Sequence, residues 1–232
     1  MTTNEKGAHH TPPVQPMRPI ANGHNADFNA PTYALPTVLL VSGLGQYHSN
    51  EETAEVKRDY LPIFLPLIED MVEEPQCVEK KRAQWAIFST LQSRVFKEQE
   101  QKGEFWALWA DFDEQPKPLD EVAAAWLEIA PNTVAWFYNS RSATADNPKS
   151  RMIVPIARPL DGATFIMAQG CLNDAFESRG FTTDRKTERP AQLCYLPNRG
   201  EFYDWRKTDG HVFDLEADGS ALQPFYEQRH AV

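Results

Sequence analysis

The sequence lacks several features that would assign it to a familiar class. It has no run of about 18 apolar residues, so we expect no segment that spans a membrane. Its N-terminus has no charged stretch followed by an apolar core, which argues against a signal peptide. The three cysteines are far apart, which fits neither a disulfide framework nor a zinc knuckle. We therefore expect the reducing environment of the cytoplasm.

Phosphate-binding glycine loops and paired histidines are scarce as well. The apolar run 37–41 is followed by Ser42-Gly43-Leu44-Gly45, and no Lys-Ser or Lys-Thr comes after it, so we predict a turn and not a phosphate loop. None of the six histidines forms a His-x-His pair, which argues against a relaxase or rolling-circle nuclease. His9 and His10 are adjacent, but a disordered pair explains them better than a metal site does.

The overall composition is that of a globular protein with an acidic surface. The chain has 232 residues, of which 41% are hydrophobic and 11% aromatic, so it can bury a sizeable core. The formal net charge is -10, which argues against a protein that coats duplex nucleic acid by bulk electrostatics. A local basic groove remains compatible with this charge.

Three regions differ in composition. Residues 1–35 are rich in Pro, Asn, Thr and His and predict a flexible tail. Residues 36–82 are predicted to form a helical N-terminal segment, because apolar side chains recur at helical spacing over 50–74, although two prolines interrupt them. Residues 83–232 are predicted to form the main folded domain.

Strands and helices are predicted to alternate in the third region. Apolar patterns predict strands over 84–89, 104–113, 133–138, 151–156 and 191–196. Helices are predicted over 119–129 and from the N-cap Asp161 to residue 179, before Gly180. In the second helix one stripe is predicted to face the core: Phe165, Ala168, Leu172 and Phe176. The fold class is therefore α+β, with helices packed on a mixed, largely antiparallel sheet.

Asp111 and Asp113 lie at the end of the second predicted strand. Residues two apart on a strand point the same way, while Phe112 between them points into the opposite layer. The five residues before Asp111 are apolar, and two carboxylates in such a place repel and are costly to desolvate. A bound Mg²⁺ or Mn²⁺ removes that cost and can share phosphate oxygens. The alternative is an exposed strand end beside Glu114.

A basic stretch follows the next predicted strand. Between residues 141 and 158 four basic residues stand against one acidic residue, a net charge of +3. Ser142 and the amides of its turn, with Lys149 and Arg151 nearby, form a natural triphosphate cradle. The alternative is a polar hairpin loop with solvated charges.

Asp184 and Arg189 are the last candidates along the chain. Asp184 could complete the carboxylate set as a third metal ligand, and Arg189 or Arg199 could hold phosphate. Alternatively, Asp184 is an acid in a loop and Arg189 forms a surface pair with Glu188.

The order of these motifs resembles the archaeo-eukaryotic primase superfamily, in particular the small primase-polymerase domains of plasmids, phages and integrated elements. Asp111-Phe112-Asp113 matches the Asp-x-Asp that ends a strand, and Ser142 with its neighbours matches a Ser-x-His type turn. Residues 151–159 match a basic strand that ends in Pro-Leu. Asp184 and residues 189–197 match a late Asp before Arg-Pro-x-Gln-x-x-Tyr-x-Pro. The resemblance covers residues 84–200.

The resemblance implies that residues 83–232 are a catalytic domain with an RRM-like core, which makes primers or extends DNA during replication of a mobile element. It implies Mg²⁺ or Mn²⁺ held by Asp111, Asp113 and Asp184. It also implies nucleoside triphosphates and a single-stranded DNA template as partners, with a helicase or other replication protein as a further one. Ser142, Lys149, Arg151 and Arg189 would bind the triphosphate.

The chain departs from the family at one position. Ala143 stands where the family has a histidine that contacts the triphosphate, and no histidine lies between His48 and His211. This departure favours the main alternative, a replication initiator or nucleotide-binding module that keeps the fold without catalysis. A sugar-nucleotide transferase also uses Asp-x-Asp, but no nucleotide-binding βαβ repeat is present.

Overall fold

The computed structural model describes residues 34–45 and 63–230. The predicted tail lies outside these ranges except for its last two residues, and so does most of the helical pattern over 50–74. No helix in the described ranges has the length and apolar character needed to cross a lipid bilayer. The cysteines are free thiols, with Cys77 exposed and both Cys171 and Cys194 buried.

The described residues form eight strands and six α-helices. The strands are β1 (Leu39–Leu44), β2 (Ile63–Phe64), β3 (Gln84–Ile87), β4 (Glu104–Phe112), β5 (Ala135–Asn139), β6 (Ser150–Asp161), β7 (Cys194–Tyr195) and β8 (Trp205–Thr208). The helices are α1 (Leu67–Glu73), α2 (Phe96–Lys102), α3 (Leu119–Ile129), α4 (Gly162–Glu177), α5 (Leu215–Asp218) and α6 (Gln223–His230). Short 3-10 turns occur at Lys80–Arg82, Arg185–Glu188 and Gly219–Leu222.

The strands form two four-stranded sheets. The first sheet has the order β2-β1-β3-β7 and the second has the order β4-β6-β5-β8, and every pair of neighbours is antiparallel. The backbones of the two sheets are hydrogen-bonded to each other at one corner, where the Trp106 amide donates to the Phe88 carbonyl at 2.7 Å. The predicted α+β class, with antiparallel sheets and flanking helices, is confirmed.

The second sheet is buried on both faces. One face packs against α3 and α4, where Phe112 contacts the ring of Phe176 edge to face. The predicted stripe on α4 is buried there, as expected. The other face packs against the first sheet, through Trp109 and Trp136. The space between the two sheets is therefore filled at its centre, and a site can open only near its ends.

Several predicted elements are confirmed at their boundaries. Helix α3 covers the predicted residues, and β4 and β6 contain the predicted strands almost completely. Asp161 caps α4, because its carboxylate accepts from the Thr164 amide at 2.7 Å. Gly180 has the positive φ of 76° that is expected after a helix end.

The prediction of a turn at residues 42–45 is wrong. Ser42 and Gly43 continue β1, and the chain turns only at Gly45, which has a φ of 74°. Gly43 is needed because the Trp85 ring lies against it, and a Cβ there would come within 2.5 Å of the indole. The pattern 37–41 was too short to reveal this cross-strand contact.

The segment 36–82 contains strands as well as a helix. Residues 63–64, predicted as helical, form β2, and only Leu67–Glu73 is helical among the described residues of this segment's pattern. β1 from this segment pairs with β3 from the predicted catalytic domain. The division of the chain at residue 83 stays a prediction, although a continuous sheet crosses it.

Candidate active site

Asp111 and Asp113 lie at the C-terminal end of β4, beside the gap between the two sheets. In the antiparallel register Asp111 is opposite Arg151 on β6, and Arg151 is opposite Tyr138 on β5. These side chains form one row across three strands, on the same face as Trp109. Asp113 follows β4 by one residue. The row is therefore positioned by the sheet itself.

Arg151 orients Asp111 through a single carboxylate oxygen. The guanidinium Nε and Nη2 lie 3.0 and 2.9 Å from Asp111 Oδ2, and each side chain of the pair is only 12% exposed. Asp111 Oδ1 is buried and has no hydrogen-bond partner among the described residues, and the same holds for Asp113 Oδ1. Two neighbouring carboxylates thus each present one unsatisfied buried oxygen, which is rare in folded proteins.

The electrostatics of the row are dominated by burial. Burial raises the pKa of Asp111, the Arg151 guanidinium opposes this rise, and the charges of Asp113 and Asp184 add to it. For Arg151 burial alone would lower the pKa, but the nearby acidic groups, Asp111 foremost with Tyr138, Cys194 and Asp113, together outweigh it, so its pKa is raised. A cation at the free carboxylate oxygens would favour the ionised form of both acids.

Tyr138 and Cys194 close the row on the side of the first sheet. The Tyr138 hydroxyl donates to the Tyr195 carbonyl at 2.7 Å and lies 3.6 Å from Cys194 Sγ. Burial raises the pKa of Tyr138 well above its usual value and that of Cys194 to about 12. Both groups are therefore neutral near pH 7, and they link β5 to β7 without adding charge to the site.

Asp184 is close to Asp111 through the backbone. Its amide donates to the Asp111 carbonyl at 2.9 Å, on the edge of β4 that has no neighbouring strand. Its carboxylate, however, accepts from the Lys186 amide at 2.9 Å and so caps the 3-10 turn Arg185–Glu188. The role of Asp184 as a third ligand stays a prediction: its backbone lies next to Asp111, while its carboxylate is engaged in capping the turn.

A buried polar group, here called the Gln169 network, holds this turn against β4. It consists of Gln169, Asn173 and Thr187, all at most 1% exposed. The Gln169 carboxamide accepts from the Trp109 amide at 3.1 Å and donates to the Trp109 carbonyl at 2.6 Å. Thr187 Oγ1 lies 3.4 Å from Gln169 Nε2 and 3.1 Å from Asn173 Nδ2. The network satisfies the free edge of β4 two residues before Asp111.

A cleft of about 300 Å³ opens beside the row, at the end of the gap between the sheets. Its lining includes polar and aromatic side chains from five segments: Lys80, Ala83, Asp113, Tyr138, Ser140, Arg141, Ser142, Arg151, Tyr195, Leu196 and Asn198. The structure thus brings Asp113, Ser142 and Arg151 to one cavity, with Asp111 bound directly to Arg151.

Two of the candidates for triphosphate binding lie outside this lining. Lys149 is tied to the cleft only through its backbone, since its carbonyl accepts from the Ser140 amide at 2.8 Å. Arg189 is exposed just after the 3-10 turn, and its amide donates to the Lys186 carbonyl at 3.0 Å. The alternative role of Arg189, a surface pair with Glu188, is not seen, because Glu188 is bound to Arg185 and Arg229.

The donor set fits a divalent cation in part. The free oxygens of Asp111 and Asp113 are hard ligands of the kind that Mg²⁺ and Mn²⁺ prefer. Within the described ranges no group of three or more His, Cys, Asp or Glu side chains is gathered around one point. A bound cation would therefore be held by the two aspartates, with phosphate and water oxygens completing its coordination shell, unless Asp184 changes rotamer.

Several lining residues were not found from the sequence. Tyr138 and Ser140 follow Trp136 at a spacing of two, so their shared face could have been read from strand alternation. Tyr195 belongs to the matched stretch 189–197 but was not singled out, and Lys80 and Asn198 come from distant segments and had no local signal. Ala143, at the family's histidine position, is 3% exposed and its amide closes a turn onto the Ser140 carbonyl at 3.0 Å.

Comparison with known proteins gives one structural similarity. No protein-family model matches the chain, and no curated protein matches it in sequence. Among solved structures the chain is similar to the AEP domain of the primase-polymerase (PrimPol) of cyanophage S-2L. The identity is 14%, the TM-score is 0.46, and the match covers 81% of this chain and 88% of that domain.

Proposed function

We propose that the protein is a metal-dependent nucleotidyltransferase that makes or extends a strand on a single-stranded template. One observation carries this proposal: Asp111 and Asp113 each present a buried, unsatisfied carboxylate oxygen beside Arg151, at the end of a cleft. Such a pair is costly without a cation and favourable with one. A metal that bridges carboxylates to phosphates is the basis of nucleotidyl transfer.

In this proposal the side chains of the cleft have separate roles in binding metal and phosphate. Asp111 and Asp113 hold Mg²⁺ or Mn²⁺, and Asp184 is the proposed third ligand. When bound, the cation supplies charge stabilisation at the attacking and leaving oxygens. Arg151 fixes Asp111 so that its free oxygen points away from the guanidinium, and it adds a positive charge to the cleft wall. Ser142 offers a hydroxyl to phosphate.

Lys149 and Arg189 complete the proposed triphosphate site from outside the cleft lining. Both have long side chains, and neither forms an ion pair with a described residue. They would contact the outer phosphates only. The remaining proposed partners are a single-stranded DNA template and a helicase or other replication protein, in the cytoplasmic replication of a mobile element.

A non-catalytic nucleotide-binding or initiator module is the second candidate. It is favoured by the Asp184 carboxylate, which caps its own turn, and by the small buried Ala143 in place of the family's histidine. In this case the cleft binds nucleotide and template without joining nucleotides. The two candidates differ in whether a new phosphodiester bond forms.

Strand synthesis on a template tests the proposal. Purified protein with Mn²⁺, a single-stranded template and labelled nucleotides should produce oligomers. The double variant Asp111→Ala, Asp113→Ala should make none, while Asp146→Ala, an exposed acid in the nearby loop, should be as active as the unaltered protein. Equal product from the double variant would refute the metal assignment, and nucleotide binding without product would favour the second candidate.

A further inference from the structure

Several basic residues without an acidic partner lie around the cleft. Most arginines elsewhere are paired with carboxylates, such as Arg158 with Asp214 and Arg229 with Asp174. In contrast, four basic residues at the cleft make no ion pair within the described part of the chain: Lys80, Arg82, Arg141 and Arg199. We call these four the basic rim. In a chain with a net charge of -10, such residues point to an anionic ligand.

Three segments that are distant in sequence are fastened together to form this rim. The Val78 amide and carbonyl both bond the Asn198 carboxamide at 3.0 Å, and the Arg199 amide donates to the Gln76 carbonyl at 2.7 Å. These bonds join the segment before the 3-10 turn Lys80–Arg82 to the loop that follows β7.

The third segment is the turn after β5. Arg141 Nη1 donates to the Arg199 carbonyl at 2.9 Å. A Cβ on Gly200 would come within 2.0 Å of the Arg141 carbonyl oxygen, so the two loops are in direct backbone contact. The rim is thus built by specific long-range contacts and is not a chance feature of one flexible loop.

We infer that the basic rim binds the phosphates of a single nucleic acid strand and leads it into the cleft. Lys80 and Arg141 line the cleft itself, while Arg82 and Arg199 lie on the same segments just outside it. In this inference the phosphates of one strand lie against these four side chains. The inference rests on the proposed function for the identity of its ligand and extends it to the surface that carries the template.

A single strand fits this surface better than a duplex. The rim contains only four cations, and the rest of the surface is strongly acidic and would repel a wide, highly charged double helix. A cleft of about 300 Å³ admits one nucleotide and not a base-paired duplex.

Salt-dependent binding of a labelled oligothymidylate tests the inference. Each phosphate contact contributes about 0.7 to the slope of log affinity against log salt concentration for a single strand. Arg82→Gln and Arg199→Gln should therefore each reduce the slope by about 0.7, and the double variant by about 1.4. Both side chains are exposed, so the fold should tolerate these changes.

The matched control is Lys97→Gln with Lys102→Gln on α2. Both lysines are exposed and have no ion pair with a described residue. The nine residues of β4 separate α2 from Asp111 by roughly 25 Å. The control should keep the slope of the unaltered protein. An unchanged slope in the Arg82, Arg199 double variant, an equal loss in the control, or equally tight binding of duplex would overturn the inference.

The hypothesis that the basic rim binds a strand and the hypothesis of enzymatic activity can be tested separately. The Arg82, Arg199 double variant should retain Mn²⁺-dependent binding of a nucleoside triphosphate, because neither side chain lines the cleft. The Asp111→Asn, Asp113→Asn double variant should lose that binding and keep the salt slope for the strand. If the unaltered protein showed the expected salt dependence of strand binding but no strand synthesis, the proposed enzymatic activity would be refuted and the role of the basic rim would stand.

Discussion

At the scale of single residues, the decisive feature is how Arg151 binds Asp111. Both guanidinium contacts go to Oδ2, at 3.0 and 2.9 Å, which leaves Oδ1 buried and unsatisfied. A structural ion pair would be expected to satisfy both oxygens of a buried carboxylate. The arrangement instead leaves one buried oxygen of Asp111 free, as one oxygen of Asp113 is two residues later, and this is the reason to assign a ligand role to the pair.

Replacing Arg151 by Met should destabilise the fold at neutral pH. Removal of one partner from a buried ion pair costs about 3–5 kcal/mol, because the other charge stays buried. The variant also removes the guanidinium that opposes the rise in the pKa of Asp111, so this pKa should rise further. Below the pKa of Asp in the unfolded chain the acid is protonated in both states, and the loss should be smallest there. As the pH rises through the raised pKa, the loss should grow.

Urea unfolding at several pH values measures this difference. Arg158→Met is the matched control, since Arg158 pairs with Asp214 on the surface and is 54% exposed. Its loss should be much smaller than that of Arg151→Met, because solvent screens an exposed pair. Equal losses for the two variants, or a loss for Arg151→Met that does not change with pH, would contradict the account of a buried pair.

At the scale of elements, the free edge of β4 explains how Asp184 comes near Asp111. On the side away from β6, β4 is bonded to residues 88–90 only near its start, and the edge near Asp111 is satisfied by Gln169 and by the Asp184 amide. Thr187 connects the two, since its hydroxyl contacts Gln169 and its amide donates to the Asp184 carbonyl at 3.0 Å. The position of Asp184 thus depends on buried hydrogen bonds from α4.

Thr187→Val should loosen the turn that carries Asp184. Valine has nearly the shape of threonine but leaves buried amide groups of Gln169 and Asn173 with fewer partners, at a cost of about 1–3 kcal/mol. Hydrogen exchange of the Asp184 amide, bound to the Asp111 carbonyl, should become faster.

Thr187→Ser keeps the hydroxyl and is the control for this experiment. It should retain slow exchange at Asp184 even though it removes a buried methyl group. If the amide of Asp184 exchanged at the same rate in both variants, the Gln169 network would not be what holds the turn.

The elements that local pattern predicted well are those with long periodic segments. Helix α3, the capped helix α4 and the strands β4 and β6 follow from spacing and from Asp161, because these signals lie within one segment. The errors at Ser42–Gly43 and at Ile63–Phe64 have a different cause. Both short stretches are strands because of their partners in the first sheet, and no local pattern encodes a partner.

At the scale of the whole molecule, the two sheets share one core and should unfold together. Leu40 and Phe88 of the first sheet pack with Trp109 and Trp136 of the second. Leu40→Ala should lower the free energy of unfolding by about 2–5 kcal/mol. It should also shift the tryptophan fluorescence and far-ultraviolet circular dichroism transitions by the same amount. Two separate transitions would show that the sheets are independent units.

The candidate site was predictable only where it lies within one strand or loop. Asp111 and Asp113 follow from strand alternation at the end of an apolar run, and Ser142 from its position in a polar turn. The pairing of Asp111 with Arg151 depends on the register between β4 and β6. The two residues are 40 positions apart in the sequence, so no local pattern reveals it. Lys80 and Asn198 reach the cleft only through contacts between distant loops, and their local sequence gives no indication of it.

The most direct test of the central claim is a Mn²⁺ titration of the purified protein, followed by electron paramagnetic resonance. Asp111→Asn and Asp113→Asn should each weaken Mn²⁺ binding by about tenfold or more, since each removes a charged ligand, while Asp146→Asn should leave it unchanged. Unaltered Mn²⁺ binding in both ligand variants would contradict the claim that this pair of aspartates holds the cation.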